Sequence, residues 1–567
     1  MSRPQADTHG WRDVLARGPV AAGRPIDWPR PYPLKGGDPV EHALTQRAEG
    51  YLADRGFERV PVTLPFDWTM SPFASRPWRT RLMCLQPMDA PLYAWRETGD
   101  AAWLRDAADI FFDWWARDGG TGASGFRAWA DMPVGYRAMK IALTTDAAAA
   151  GEWSPSEAEG AALVAAAEAH LIALMEPERL SDGNHGIFQL HGLRVLSEVT
   201  GLRRADADAF LTEHLTRLID RQFGEEGVHL EHSPHYHWWM QSELAAIRDS
   251  GWHGTLDLDA RLARAEEAKH WMLVPGDLMV RVGDTPDSEP VLPPAVPARP
   301  DHVEGGLSLR WFPSSGIAAA KTDDALVFFH AAYHSKSHKH ADDLHVELHD
   351  LGRPILVDAG SSGYKTGPAR SYAVSTHAHN TVEWAGRSYP RDGTDAYGSG
   401  LVGAGLVRGG AYLEGRVRHA SAGVSHRRRA VFLPGRALVL QDRLRAGEEA
   451  EAIQWLHLAP RWRPVGDPAD LTFTDGEAFV RIEPEADAAV RAHNAMEGRD
   501  GEPDWRQGWR TLRRDLEPSW SIGLAKRGRA PAFRTAVRYA LGAPPALDDL
   551  SAATEPVRDL FRAEDAP

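Results

Sequence analysis

Three short stretches of this 567-residue chain gather the residue types that move protons or hold metals. The first is His338-Lys339-His340-Ala341-Asp342-Asp343, followed by Asp358 and then by His377-Ala378-His379-Asn380. His340, Asp358 and His379 make a three-ligand set for Zn²⁺, with water or another group in the fourth place. Other first-row divalent ions compete for the same donors. Asp342, Asp343 and Glu347 are nearby carboxylates expected to orient the imidazoles from behind. The alternative is a set of surface histidines beside an aspartate in a turn; the clustering within a strand-rich region favours the metal.

The second stretch is Ser181-Asp182-Gly183-Asn184-His185-Gly186, ahead of a helical pattern at Ile187, Leu190, Leu193, Val195 and Leu196. Asp182 or Asn184 is the expected helix cap. A helix N-terminus carrying an Asn amide and a His is also a carboxylate-binding site. The third stretch is Glu231-His232-Ser233-Pro234-His235-Tyr236-His237-Trp238-Trp239. Ser233 followed by Pro234 reads as N-cap then first helical residue. That puts Tyr236 in the first turn, where the positive end of the helix dipole slightly favours phenolate. His235 and Trp238 of this run are candidate substrate contacts, Trp238 because indole stacks on the apolar faces of sugars. Arg137 and Arg427 are candidate carboxylate contacts on chemical grounds.

The elements that position these residues divide the chain in two. Through residues 40–290, apolar residues recur at three- and four-residue steps, as at Leu92, Trp95, Trp103, Leu104, Ala107, Ile110, Phe111 and Trp114, the period of amphipathic helices. Successive helix pairs that each bury one face must stack or close into a ring. Residues 290–300 are rich in proline and read as a linker. Beyond them come short segments bounded by turns, at 307–311, 316–321, 325–330, 346–349, 355–358, 380–384, 430–432, 437–440, 452–458 and 520–524, the pattern of a β-sandwich. The expected organisation is an N-terminal arm over 1–39, a helical domain over 40–290, a linker over 291–305, an antiparallel β-sandwich domain carrying the metal site over 306–545, and a tail over 546–567.

Hydrophobic residues are 43 % and charged residues 25 % of the chain, as in ordinary globular proteins. A net charge of −15 argues against general nucleic-acid binding, yet leaves room for an anionic ligand in a cleft with local cations. The one cysteine, Cys84, excludes an intrachain disulfide and reads as a core residue. No stretch approaches the roughly 18 apolar residues of a membrane span, and no secretion signal is visible. A cytoplasmic location is expected, with a periplasmic or secreted one left open. The 21 tryptophans suit sugar binding as well as packing.

The segment "HKHADDLHVELHDLGRPILVDAGSSGY", from His338 to Tyr364, resembles the signature of the heparinase II/III-like polysaccharide lyases, as does "AHNTVEWAGRSY" ending at Tyr389. Asn184–Gly186 ("NHG") and Ser233–His237 ("SPHYH") are similar to that superfamily's two active-site segments in the helical half. The resemblance implies an α+β multidomain chain, an N-terminal (α/α) toroid followed by a C-terminal antiparallel β-sandwich, with a cleft between them. It implies that Asn184 and His185 neutralise a substrate carboxylate. Tyr236 would be the catalytic acid, in some members also the base, and His338 the second proton-transfer residue. His340, Asp358 and His379 would hold a mainly structural zinc, and Tyr364 is a further cleft residue by a weaker match. Histidines at 235, 237, 334, 345 and 349 make this ligand set less unique.

The chemistry implied is β-elimination on a uronate-containing polysaccharide or oligosaccharide, giving a 4,5-unsaturated end. The C5 proton is α to a carboxylate, and an ionised carboxylate opposes its removal. Neutralising that charge favours the transition state over the ground state. A base must reach C5–H and an acid must protonate the departing C4 oxygen. Three alternatives stand beside it. A toroidal glycoside hydrolase would use two carboxylates, with Asp131 and Glu231 as candidates. A zinc-dependent hydrolase would activate water. A non-catalytic glycan-binding protein of a polysaccharide pathway would bind without turnover. The type of product separates all of these. A homodimer is compatible with the sequence.

Overall fold

A computed structural model of the chain describes residues 10–21, 24, 36–54, 56–125, 128–254, 256–286, 290–364, 366–494, 509–512 and 515–546. Helices come first and antiparallel strands follow, as the apolar periods require. Contacts divide the chain into two compact units, one of residues 1–222 with 243–258, the other of residues 223–242 with 259–567. Most of the expected tail lies outside the described residues, as does the larger part of the N-terminal arm.

In the helical unit, the helices Met132–Ala149 and Asn184–Thr200 approach closely through glycines. A Cβ on Gly135 would lie 2.5 Å from the Phe188 carbonyl oxygen, and one on Gly192 would lie 2.5 Å from that of Gly135. Any side chain at either position would force the backbones apart, so this pair sets where the first turn of the second helix falls. That helix is capped by Gly183, not by Asp182 or Asn184. Asp182 instead accepts from Arg221 at 2.7 Å, and Asn184 is the first helical residue. No helix among the described residues is long and apolar enough to cross a membrane.

The other unit is a stack of antiparallel sheets. A six-stranded meander runs in the order His302–Glu304, Leu307–Phe312, Ile317–Lys321, Leu326–His330, His345–Asp350 and Arg353–Leu356. An eight-stranded sheet is built on Leu401–Val407, Gly410–His419, Val424–Leu433, Ala437–Ala446 and Ala532–Leu541, and a four-stranded sheet on Ala450–His457 and Trp520–Gly528. Successive strand residues face opposite sides of a sheet. In Leu326–His330, Val327 and Phe329 enter a core shared with Leu413, Phe432, Leu440 and Ile522. Leu326 and Phe328 enter a second core with Trp271, Val280 and Val282. With both faces covered, the strand reads as a continuous apolar run. Each such side chain stabilises the fold by about 1.5–3 kcal/mol relative to exposure. Residues 290–300 carry neither helix nor strand.

Candidate active site and metal centre

Tyr236 stands in the first turn of the helix Pro234–Asp249. The Ser233 carbonyl accepts the first intrahelical bond, from the His237 amide at 3.0 Å, so Pro234 begins the helix without losing a donor. Ser233 Oγ turns to Thr285 Oγ1 at 2.8 Å. The sequence places Tyr236 in the helical half; in the fold it belongs to the unit that also holds His338 and Tyr364. The Tyr236 and His338 rings stack, with centroids 3.4 Å apart and planes 19° apart. The Tyr364 hydroxyl lies 2.6 Å from that of Tyr236 and 3.1 Å from His338 Nδ1.

Two carboxylates flank His338. Nδ1 lies 3.1 Å from Asp284 Oδ2, and Nε2 lies 3.3 Å from Glu231 Oε2. Burial alone would lower the proton affinity of His338; the hydrogen bonds to Asp284 and Glu231 outweigh it and raise it. Burial pushes the Tyr236 hydroxyl up to about 12, against the hydrogen bond from Tyr364 that pulls it down. Tyr236 therefore stays protonated at neutral pH while His338 has the affinity of a strengthened base, the complementary pair that acid–base chemistry needs.

In the helical unit, Asn184 is buried and His185 is about one-third exposed. His185 Nδ1 lies 2.6 Å from Asp131 Oδ1, an ion pair whenever the imidazole is protonated. Asp131 caps the helix Met132–Ala149 with φ 67° and ψ −163°, a conformation that side chains rarely adopt. The imidazole is thus oriented by an aspartate that the helix start holds in place.

His340, Asp358 and His379 are fully buried, and one donor atom from each lies within 4.8 Å of the others. His379 Nδ1 donates to Asp358 Oδ2 at 2.8 Å. Among the described residues, His340 Nδ1 and His379 Nε2 have no hydrogen-bond partner. A buried imidazole nitrogen left unsatisfied costs about 1–3 kcal/mol, and a metal ion would satisfy both. Burial alone would raise the Asp358 carboxyl, but His379 and His345 beside it bring it down to about 2, so it is an ionised ligand at neutral pH. These residues fit a divalent metal ion.

Other sequence expectations land differently. Arg137 is fully buried: its guanidinium is bonded to the Met83 and Ala128 carbonyls and to His170, and it packs on Trp114 and Trp129. It braces the helical core and offers nothing to a ligand. Arg427 is tied to Glu414 on the neighbouring strand. Trp238 packs against the second core of the β-rich unit, with Lys269 Nζ 5.2 Å from its ring. His235 meets the Tyr236 ring edge-on at 5.5 Å. His237 is a satisfied core residue, with Nδ1 accepting from the His229 amide and Nε2 donating to the Ala265 carbonyl. The carboxylate behind His340 is Asp284, not Asp342, Asp343 or Glu347; Asp342 and Asp343 instead pair with Lys339.

Asp284 and Arg370 stand outside the three motif stretches, and Glu231, which opens the third, is given a role in the sequence reading only as a hydrolase carboxylate. The available signal is the Gly283-Asp284 pair that follows Leu278, Met279, Val280 and Val282, where a glycine marks a turn or close approach.

Residues 304–541 match the family described as heparinase II/III-like, C-terminal. Among solved structures, heparinase III superposes with a TM-score of 0.68 at 14 % identity, covering 94 % of this chain and 89 % of that one. A mutant of heparan sulfate lyase HepC from Pedobacter heparinus gives 0.62 at 14 % identity over 94 % and 88 %. A heparinase III with methylated lysines gives 0.63 at 15 % identity over 94 % and 88 %. At this identity the likeness establishes a shared fold over most of the chain, helices followed by antiparallel sheets. No curated protein sequence matches the chain.

Proposed function

Residues 304–541 match the heparinase II/III-like family, and from that premise we propose that the chain is a polysaccharide lyase cutting a uronate-containing glycan by β-elimination. The observation that carries this reading is the hydroxyl pair Tyr236–Tyr364 set against the stacked imidazole of His338. Two proton-transfer groups of opposite tendency lie side by side. The similar solved structures are named as a heparinase and a heparan sulfate lyase, which favours an acidic polysaccharide or oligosaccharide as substrate.

In this reading His338 takes the C5 proton, and Tyr236, kept protonated, delivers one to the departing C4 oxygen. Asn184 and His185, the latter oriented by Asp131, offset the uronate charge as it builds in the transition state. His340, Asp358 and His379 would hold a zinc ion, which would brace this part of the fold. No water enters the products.

The test is the ultraviolet absorbance of the unsaturated uronate, followed on a panel of uronate polysaccharides and oligosaccharides, with Tyr236→Phe beside the wild type. A rise with the wild type alone supports the elimination. Saturated, hydrated ends would instead identify a hydrolase, and the lyase reading would be abandoned.

A further inference from the structure

Asp284 touches both the proton-transfer set and the metal triad, and the reaction described above assigns it no part. Its side chain is 2 % exposed. Oδ2 accepts from His338 Nδ1 at 3.1 Å, and Oδ1 accepts from His340 Nε2 at 3.1 Å. Ser361 Oγ donates to Oδ1 at 3.3 Å. Arg370 spans both oxygens, with one guanidinium nitrogen on Oδ1 and the other on Oδ2 at 3.1 Å. A planar carboxylate gripped this way has little freedom to turn.

The two contacts set which ring nitrogen is left for work. A proton on Nδ1 of His338, shared with Asp284, makes Nε2, which faces Glu231 Oε2 at 3.3 Å, the nitrogen that exchanges a proton. A proton on Nε2 of His340 leaves Nδ1 for a metal, and that is the atom with no hydrogen-bond partner among the described residues. The hydrogen bond on one imidazole nitrogen decides the role of the other.

The backbone is shaped for this approach. Gly283 has φ +57°, and a Cβ there would lie 2.4 Å from the His232 carbonyl oxygen and 2.9 Å from that of His338. His232 and His338 themselves hold φ of 63° and 54°, the left-handed region that residues other than glycine rarely adopt. Such strained positions gather where function demands a particular placement.

We infer that Asp284 is a positioning residue that couples the metal triad to the proton-transferring imidazole through the chain His340–Asp284–His338. A metal ion held by the triad would thereby help fix the orientation of His338 through Asp284. The catalytic half of this inference rests on the lyase reading; the metal half rests on geometry alone.

The test is Asp284→Asn in the full-length protein. An amide presents one acceptor and one donor, so it cannot accept from both imidazoles. The expected result is a kcat lower by about a hundredfold with KM within about threefold, and zinc affinity lower by about 10- to 100-fold, the usual effect of losing a residue behind a ligand. A readout independent of turnover is the ring N–H resonances in protein with ¹⁵N-labelled histidine, assigned with His338→Gln. The protected His338 Nδ1–H signal should be present in the wild type and lost in Asp284→Asn. Wild-type kcat and zinc affinity in the variant would overturn the inference, as would equal losses in every parameter together with a collapsed melting temperature. If the wild type makes no unsaturated product, the lyase reading fails by itself; zinc affinity and the ring proton then decide, their loss supporting the coupling and their retention overturning it. Should Asp284→Asn not fold, Arg370→Gln, which releases the carboxylate, must show the same changes in smaller degree, and unchanged zinc affinity and ring proton there overturn it.

Discussion

Tyr236 lies flat against His338, centroids 3.4 Å apart, and the Tyr364 hydroxyl reaches both, 2.6 Å from the Tyr236 hydroxyl and 3.1 Å from His338 Nδ1. Ring packing and proton chemistry are therefore separable in a way they rarely are. Tyr236→Phe keeps the stack and removes only the hydroxyl. If that hydroxyl protonates the leaving oxygen, turnover should fall by about 10²–10⁴-fold, with a melting temperature close to that of the wild type. Absorbance assays beside thermal melts check this. Undiminished turnover would remove Tyr236 from the mechanism.

Tyr364 poses a graded version of the same question. Its ring is more than half exposed, and its hydroxyl sits 2.6 Å from Tyr236 and 3.1 Å from His338 Nδ1. It can steady both partners without exchanging a proton with substrate. Tyr364→Phe should lower kcat by about tenfold, the scale of one lost hydrogen bond of roughly 1.4 kcal/mol, with unchanged stability. A loss as deep as that of Tyr236→Phe would make Tyr364 the proton donor itself.

Metal removal separates a bracing ion from a reacting one. His340→Ala deletes one of three buried ligands and leaves Asp358 and His379 facing an emptied position. Zinc held by the triad should be lost from the variant in elemental analysis and the melting temperature should fall by several degrees, since a metal bound only by the folded state adds its binding free energy to folding. Activity in the wild type should decline under chelation only as fast as the fold loosens. Immediate loss of activity with the melting curve intact would favour a zinc-dependent hydrolase.

Helical periods and short apolar runs divide the fold in the amino-acid sequence itself, because each period reports the face that must be buried. The His340, Asp358 and His379 set is legible there too, because its residue types are costly to bury without a purpose. Arg137 misleads because charge in a sequence does not announce burial; only the carbonyls of Met83 and Ala128 show where the guanidinium goes. The strands Leu401–Val407 and Gly410–His419 are hidden because their glycines read as loop. In the fold, Gly405 and Gly415 are sites where Tyr412 and Leu344 come within 2.8 Å of an added Cβ. Asp284 lies in a segment with no periodicity of its own, and its importance comes entirely from partners that tertiary structure brings to it.

The β-rich unit also carries a buried charge network whose behaviour with pH can be worked out. Asp442 is buried; its carboxylate accepts from Arg428 Nε at 2.8 Å, from His426 Nε2 at 2.5 Å and from Gln454 Nε2 at 2.5 Å. Burial alone would raise this carboxyl, but Arg428 and His426 hold it well below the usual carboxylate range. A group whose pKa is depressed by folding stabilises the native state above its unfolded value, about 4, and loses that contribution as pH falls toward the folded value. Asp442→Asn leaves Arg428 buried with a weakened partner, so it should cost about 3–5 kcal/mol at neutral pH. Urea melts of wild type and variant at a series of pH values give the measurement. The difference between them should be constant above about pH 5 and shrink steadily below about pH 4. A difference that stayed level into acid would mean that shape, rather than the charge of Asp442, holds the sheet together at this point.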